Sequence, residues 1–182
     1  GGIIAGLLFI TIYSKKKNLK LSLLTDIIAP GLIIAQALGR WGNFFNREVF
    51  GEYTDNLFAM RIPIDAVRDP ADITANISSH IPEGANYIQV HPTFLYESAL
   101  NFVLFFLMVW YHKRKKFNGE ICLLYLGGYG IIRFFVEGIR TDQLKFAGTD
   151  IAVSQMLGMG LFLLSLVLEI IIRLRLSKKT NK

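Results

Sequence analysis

The stretch GRWGNFFN, residues 39–46, follows the run IIAPGLIIAQAL, which carries no charge from residue 27 to residue 38. An uncharged apolar run reads as a helix at membrane depth. An arginine, two glycines and two asparagines at its end need a reason, because charged side chains in hydrocarbon are expensive and usually serve a function or a partner. The stretch reads as the polar exit of a membrane-spanning helix. Arg40 either snorkels to the interface or faces a polar site. Gly39 and Gly42 are expected to permit close helix packing. Asn43 and Asn46 are expected to cap the free carbonyls of the helix end.

The rest of the chain fits the same class. Of 182 residues, 52% are hydrophobic and 19% charged, less charge than a water-soluble domain usually carries. Apolar segments occupy residues 2–13, 21–38, 93–111, 121–139 and 151–172. Most approach the roughly 20 residues that a helix needs to cross a bilayer, and the first is short. Helices are the expected form, since an open sheet edge cannot face lipid.

Net charge is +6, but the basic residues bunch where apolar segments end, which argues for membrane topology rather than nucleic-acid binding. The clusters are Lys15, Lys16, Lys17 and Lys20; Lys113 to Lys116; and Arg173, Arg175, Lys178, Lys179 and Lys182. If the spans alternate, all three fall on one side, predicted to be cytoplasmic. Trp110 and Tyr111 read as part of an interfacial belt beside the second cluster.

Residues 47–91 differ in kind, with seven acidic residues against three arginines. FAMRIPI (58–64) and NYIQVHP (86–92) read as short strands, and RDPAD (68–72) and PEGAN (82–86) as turns. The expected fold is an all-α polytopic membrane protein with a small extracytoplasmic α/β head inserted between transmembrane helices. Its parts are helices one and two in 1–46, the head in 47–91, helices three to five in 92–175, and a basic cytoplasmic tail in 176–182. Residue 1 is Gly, without an initiator Met or a basic leader, so the sequence reads as N-terminally incomplete.

Polar groups inside the spans point to chemistry. Arg133 and Glu137 lie four apart on one helical face, with Arg140 three further on. Arg133–Glu137 alone could be a simple intrahelical pair. By alternation Arg40, His91, Glu97, Arg133, Glu137 and Arg140 all fall toward the outer leaflet. Two arginines facing one cavity are costly unless an anion joins them, and a phosphate diester matches guanidinium geometry. That suggests an enzyme acting on a lipid headgroup. The rivals are a small transporter or anion-conducting subunit, and an assembly subunit without chemistry. His91 is either an interfacial anchor or part of the polar site, and His80 a surface loop residue. Asp26 and Glu169 are expected to reach the interface. Cys122, the one cysteine, reads as a small buried hydrophobe. No metal or cofactor is expected.

Three motifs carry a resemblance over nearly the whole chain. GRWGNFFNREVFG (39–51), HPTFLYE (91–97) and YGIIRFFVEGIRTD (129–142) resemble, in order, segments of the bacterial prolipoprotein diacylglyceryl transferase family, and the leading GG resembles the end of its His-Gly-Gly motif. The resemblance implies transfer of the diacylglyceryl group of phosphatidylglycerol to the lipobox cysteine thiol of a prolipoprotein signal peptide. This would occur in the bacterial cytoplasmic membrane, among membrane lipids, with the site toward the outer leaflet. It implies catalytic roles for Arg40, Asn43, Tyr129, Arg133 and Glu137, and binding roles for Arg40, Glu48, Gly51, His91, Glu97, Arg133 and Arg140. Arg47 stands where relatives commonly have glycine.

Overall fold

A computed structural model of the chain describes residues 1–146, 148–149 and 151–180. Six helices and two strands run in the order α1 (Gly2–Lys16), α2 (Leu21–Asn46), β1 (Met60–Pro63), α3 (Ala75–Ser79), β2 (Tyr87–Val90), α4 (Thr93–His112), α5 (Glu120–Gly138) and α6 (Val153–Thr180). Among the described residues, α2, α4, α5 and α6 are long and apolar enough to cross a membrane, and α1 is not among them. Of these four, α6 is the most apolar and the least buried. In water that inversion would be untenable; against lipid it is the expected pattern.

The bundle core is Ala29, Ile33, Leu104, Met108, Ile121, Ile132 and Val136. Its tightest seam joins α5 to α6. A Cβ on Gly130 would lie 2.5 Å from the Gly158 carbonyl, and one on Gly158 would lie 2.5 Å from the Gly130 carbonyl. Gly127 likewise abuts Ser165, and Gly128 faces Leu104 of α4. The glycines of α5 therefore let backbones meet as small residues do in membrane bundles.

Gly39 and Gly42 do not act this way. A Cβ at either would enter open space, because both lie on the unpacked side of α2. Beyond the apolar run, α2 reaches the expected boundary at residue 46. It continues through GRWGNFFN, held by Trp41 and Phe44 packing on Phe94 of α4. The helix then ends at Arg47, which is left-handed (φ 54°, ψ 47°). The Arg47 and Glu48 amides donate to the carbonyls of Phe44 (3.2 Å) and Asn43 (3.1 Å). These backbone bonds form a Schellman closure, so the asparagine side chains are not needed as caps.

Between α2 and α4 the chain builds a small unit on an antiparallel ladder, Met60 opposite Val90 and Ile62 opposite Ile88. Alternation sends Ile62, Ile88 and Val90 inward with Phe50, Val67 and Ile77. Both expected strands are present, shorter than their sequence signals. The expected turns hold a 3₁₀ turn at Pro70–Asp72, capped by Asp69, and Gly84 at φ 77°. Helix α3, started by Thr74 accepting from the Ile77 amide, was not legible in the sequence. His80 ends it, exposed and stacked on Tyr53.

Gly51 stitches this unit to the bundle. Its amide donates to the His91 carbonyl (3.0 Å), and a Cβ there would fall 2.7 Å from the Ile139 carbonyl. The neighbouring Glu52 amide donates to that same carbonyl.

The opposite end gathers the basic clusters, apart from Lys182 at the end of the expected tail, which lies outside the described residues. Asp26 of α2 accepts from Lys115 Nζ (2.8 Å) and from the amides of Gly119 (2.8 Å) and Cys122 (3.0 Å), capping α5. It is fully buried, contrary to the expectation that it reaches the interface: the α5 amides need an acceptor there. Glu169 is partly exposed and pairs with Arg173, which also pairs with Glu120. Cys122 is half-buried rather than buried.

The closure at Arg47 yields a prediction. A side chain at positive φ costs about 1–2 kcal/mol, partly offset by the greater chain entropy that glycine loses on folding. Arg47→Gly should therefore stabilise the protein by about 1 kcal/mol, read as a raised thermal unfolding midpoint in detergent.

Candidate active site

At the end of the bundle away from the basic clusters, three helices converge on one carboxylate. Glu97 of α4 has a side chain only 2% exposed. Its Oε1 is ion-paired with Arg40 Nη2 of α2 at 2.8 Å, and its Oε2 accepts from Arg133 Nη1 of α5 at 3.1 Å. Tyr129 completes the junction, with Oη 3.4 Å from both Glu97 Oε1 and Arg40 Nη2. Residues 129, 133 and 137 are successive turns along α5, so one face carries all three.

The ion pairs continue as a chain. Arg133 Nη2 also pairs with Glu137 Oε2. Glu137 accepts from Arg140 Nη1 at 3.3 Å, and Arg140 forks onto Asp142 through Nε (2.9 Å) and Nη2 (2.6 Å). Three guanidiniums thus alternate with three carboxylates, and the formal charges cancel. Arg40 does not merely snorkel, and Arg133–Glu137 is not an isolated pair. The anion that the two facing arginines demand is present in the chain itself, as Glu97. At Arg140 burial opposes the charge, but the hydrogen bonds and charge of Asp142 outweigh it, raising its pKa.

The other residues singled out from sequence stand around this chain. His91 turns to a separate polar group, its Nδ1 lying 3.2 Å from Tyr96 Oη and 3.4 Å from Asn56 Nδ2. Burial lowers the His91 pKa below the ordinary 6.5, which favours the neutral imidazole. Glu48 is held by Arg68 Nη1 (2.5 Å) and Asn46 Nδ2 (3.0 Å), apart from Arg40 and Arg133. Asn43 contributes its carbonyl to the α2 closure, and Gly51 its backbone to the junction.

Glu48 sits between Arg47 and Val49, both at positive φ (54° and 58°). That is a rare conformation for a β-branched residue, and such strain clusters at functional sites.

Sequence reasoning missed Asp142, Asn56 and Tyr96, which only tertiary contacts reveal. It also missed Asn101, one turn beyond Glu97 on the same face of α4. Asn101 is fully buried, and its amide has no hydrogen-bond partner among the described residues.

A cavity of about 440 Å³ between α4, α5 and α6 lies toward the basic end, lined mainly by Leu123, Leu124, Phe162 and Leu166, with Glu120 and Arg173 at its rim. It contains none of the residues of the arginine–carboxylate chain. Among the described residues, no group of three or more His, Cys, Asp or Glu is placed to hold a metal ion.

The sequence matches the family model described as prolipoprotein diacylglyceryl transferase over residues 1–171. Similar proteins carry the name phosphatidylglycerol–prolipoprotein diacylglyceryl transferase. One from Finegoldia magna is 40% identical, with 100% of this chain aligned to 64% of the relative. One from Prochlorococcus marinus is 37% identical over 100% of this chain and 61% of the relative. One from Lactobacillus acidophilus is 40% identical over 93% of this chain and 57% of the relative. The chain therefore spans less than two thirds of the length of each.

The geometry of Glu97 is testable. Glu97→Gln keeps the shape but leaves Arg40 and Arg133 facing each other without their shared anion. Breaking a buried pair costs about 3–5 kcal/mol, and this substitution should fall in that range. Adding Arg40→Met should recover part of the loss, a coupling that thermal unfolding of the four variants of a double-mutant cycle would read directly.

Proposed function

The chain belongs to the prolipoprotein diacylglyceryl transferase family, and from that premise we propose that it moves the sn-1,2-diacylglyceryl group of phosphatidylglycerol to the lipobox cysteine thiol of a prolipoprotein. The observation that carries the reading is the convergence of Arg40, Glu97 and Arg133 at one end of the bundle. The thiol sulfur bonds to the sn-3 carbon of the glyceride and the C–O bond to phosphate breaks. The thiol proton is lost, and glycerol 1-phosphate departs. The nucleophile belongs to the substrate, so the enzyme needs none.

The leaving phosphate passes from diester to monoester and gains negative charge. Donors that tighten on that growing charge lower the barrier. The Glu97 and Tyr129 contacts of Arg40 use only Nη2, and its Nε and Nη1 lie outside those pairs. We assign Arg40 and Arg133 to the phosphate, with Glu97 fixing their separation. Tyr129 supports that placement through its hydroxyl. Glu137, shared by Arg133 and Arg140, serves as a counter-ion rather than a free base. Asn43, Glu48, Gly51 and His91 hold the strained entrance beside the site.

Both substrates carry acyl or signal-helix parts that belong in the bilayer, and dragging them into water would cost about 0.8 kcal/mol per CH₂. The site is accordingly read as opening sideways to lipid, with α2 and α5 as walls. The three basic clusters at the other end of the bundle support a cytoplasmic position for that end by the positive-inside rule. The arginine chain and residues 47–91 would then lie toward the outer leaflet of the bacterial cytoplasmic membrane. The charged groups of the spanning helices gather at the two ends, with apolar Ile33, Leu104 and Ile132 in the core between them, which gives no support to a transporter.

Arg133→Ala in the full-length enzyme should cut diacylglyceryl transfer by about 100-fold or more, the range for losing one donor to a developing anion. Arg133→Lys should recover only a fraction, because a point charge cannot replace a bidentate fork. Unimpaired transfer by Arg133→Ala, measured with labelled phosphatidylglycerol and a lipobox peptide, would remove the assignment.

Topology has its own test. In a Cys122→Ser background, Ser79→Cys should react with a membrane-impermeant thiol reagent added to intact cells stripped of their wall. Reaction only after the inner face is opened would reverse the orientation.

A further inference from the structure

Leu57 and Phe58 form the tip of the loop that precedes β1. Leu57 is 92% exposed and Phe58 60% exposed. They are the only large apolar side chains so exposed among the described residues between α2 and α4. The isoleucines of this unit, with Val67 and Val90, turn into its small core or pack partly against it. Most other exposed apolar residues among the described ones lie on the helices, the exceptions being Leu19, Leu144, Phe146 and Ile151.

The tip is held in shape rather than left loose. The Asn56 amide donates to Thr54 Oγ1 (3.3 Å), the Phe58 amide to Asn56 Oδ1 (2.9 Å), and the Ala59 amide to the Asn56 carbonyl (3.0 Å). These local turns fix the backbone at both sides of Leu57, so its exposure is built in.

Its height relative to the helices is fixed as well. Asn56 Nδ2 reaches Tyr96 Oη (3.3 Å) and His91 Nδ1 (3.4 Å), at the first turn of α4. On the other side β1 lines a small cavity of about 190 Å³ with Phe44 and Phe45, the last turn of α2. Phe45 is itself 72% exposed. The tip is thus bracketed by the ends of two membrane-spanning helices, at the level where aromatic side chains form an interfacial belt.

We propose that Leu57 and Phe58 insert into the membrane interface as an anchor that pins the 47–92 unit over the end of the bundle. The occupant of this apolar surface is the bilayer. A tip tied to the ends of α2 and α4 is held beside the interfacial region once those helices span. A signal peptide or a second copy of the chain would have to displace lipid from it. This inference rests on the membrane-spanning bundle and not on the reaction proposed above.

Nitroxide accessibility tests it. In the full chain with Cys122→Ser, Leu57→Cys is spin-labelled and reconstituted in vesicles of phosphatidylcholine and phosphatidylglycerol. Ser79→Cys on α3 serves as the water-facing reference. The label at 57 should collide with oxygen several-fold more, relative to a water-soluble nickel chelate, than the label at 79. Phe58→Cys supplies the same reading if the first variant fails to fold. Equal, water-like ratios at 57, 58 and 79 would overturn the proposal. So would protection at 57 that appears only on adding a lipobox peptide, or only at high protein-to-lipid ratio, since each names a different occupant.

Discussion

The carboxylate of Glu97 holds a guanidinium from each of two other helices, and the geometry of this end of the bundle depends on it. An ion buried in a medium of low dielectric loses several kcal/mol of solvation, recovered only where partners sit in good geometry. Two guanidiniums brought together without an anion would repel and leave the site collapsed or splayed. With Glu97 between them, α2, α4 and α5 acquire a common fixed point that apolar packing alone, being non-directional, does not define. The relay through Glu137 and Arg140 to Asp142 extends that order to the chain beyond α5.

The same relay explains how the small unit of residues 47–92 is aligned with the bundle. Arg140 forms a bridge with Gly51, and the Thr141 amide donates to the Phe50 carbonyl. Asp72 of this unit has a raised pKa, chiefly through burial and then through the nearby charges of Asp142 and Asp69. Side-chain charge and backbone pairing therefore meet at one seam. Gly51 is confined there by close backbone, and Val49 is pulled to positive φ while its carbonyl accepts from Thr93 Oγ1. Strain in 47–51 is sustained because contacts on both sides over-determine it.

Much of the fold was legible because the chain writes it in long apolar runs and short alternating ones. The lengths of α4 and α5 and the positions of β1 and β2 follow from that pattern. The convergence of Arg40, Arg133, Glu137 and Arg140 followed from alternation of spans and from spacing along α5. What could not be read was partnership. That Glu97 would be the anion between Arg40 and Arg133 requires knowing how α4 rotates against α2 and α5. Asp26 failed the expectation for a related reason, since the donors it satisfies are amides at the start of α5, almost a hundred positions away. The apolar run ends at residue 38, while α2 runs on through the polar exit to Asn46, the expected boundary, despite two glycines. Trp41 and Phe44 packing on Phe94 outweighs the roughly 1 kcal/mol that each helical glycine costs.

Both ends of the bundle bury carboxylates, and they satisfy them by different means. At the basic end Asp26 accepts two backbone amides and a lysine, and Glu120 accepts the Lys116 and Phe117 amides. Backbone amides of a helix start thus take both oxygens of Asp26 and Oε2 of Glu120 and lock a turn, while Glu120 Oε1 is left to Tyr111 and Arg173. At the other end the carboxylates of Glu97 and Glu137 meet side chains. Guanidiniums on flexible stems can exchange one oxygen acceptor for another at little backbone cost. A network closed by backbone amides cannot open to a ligand without unwinding a helix. One closed by arginines can admit a phosphate by sharing donors, which supports the proposal that the chemistry lies at the end that holds Arg40 and Arg133.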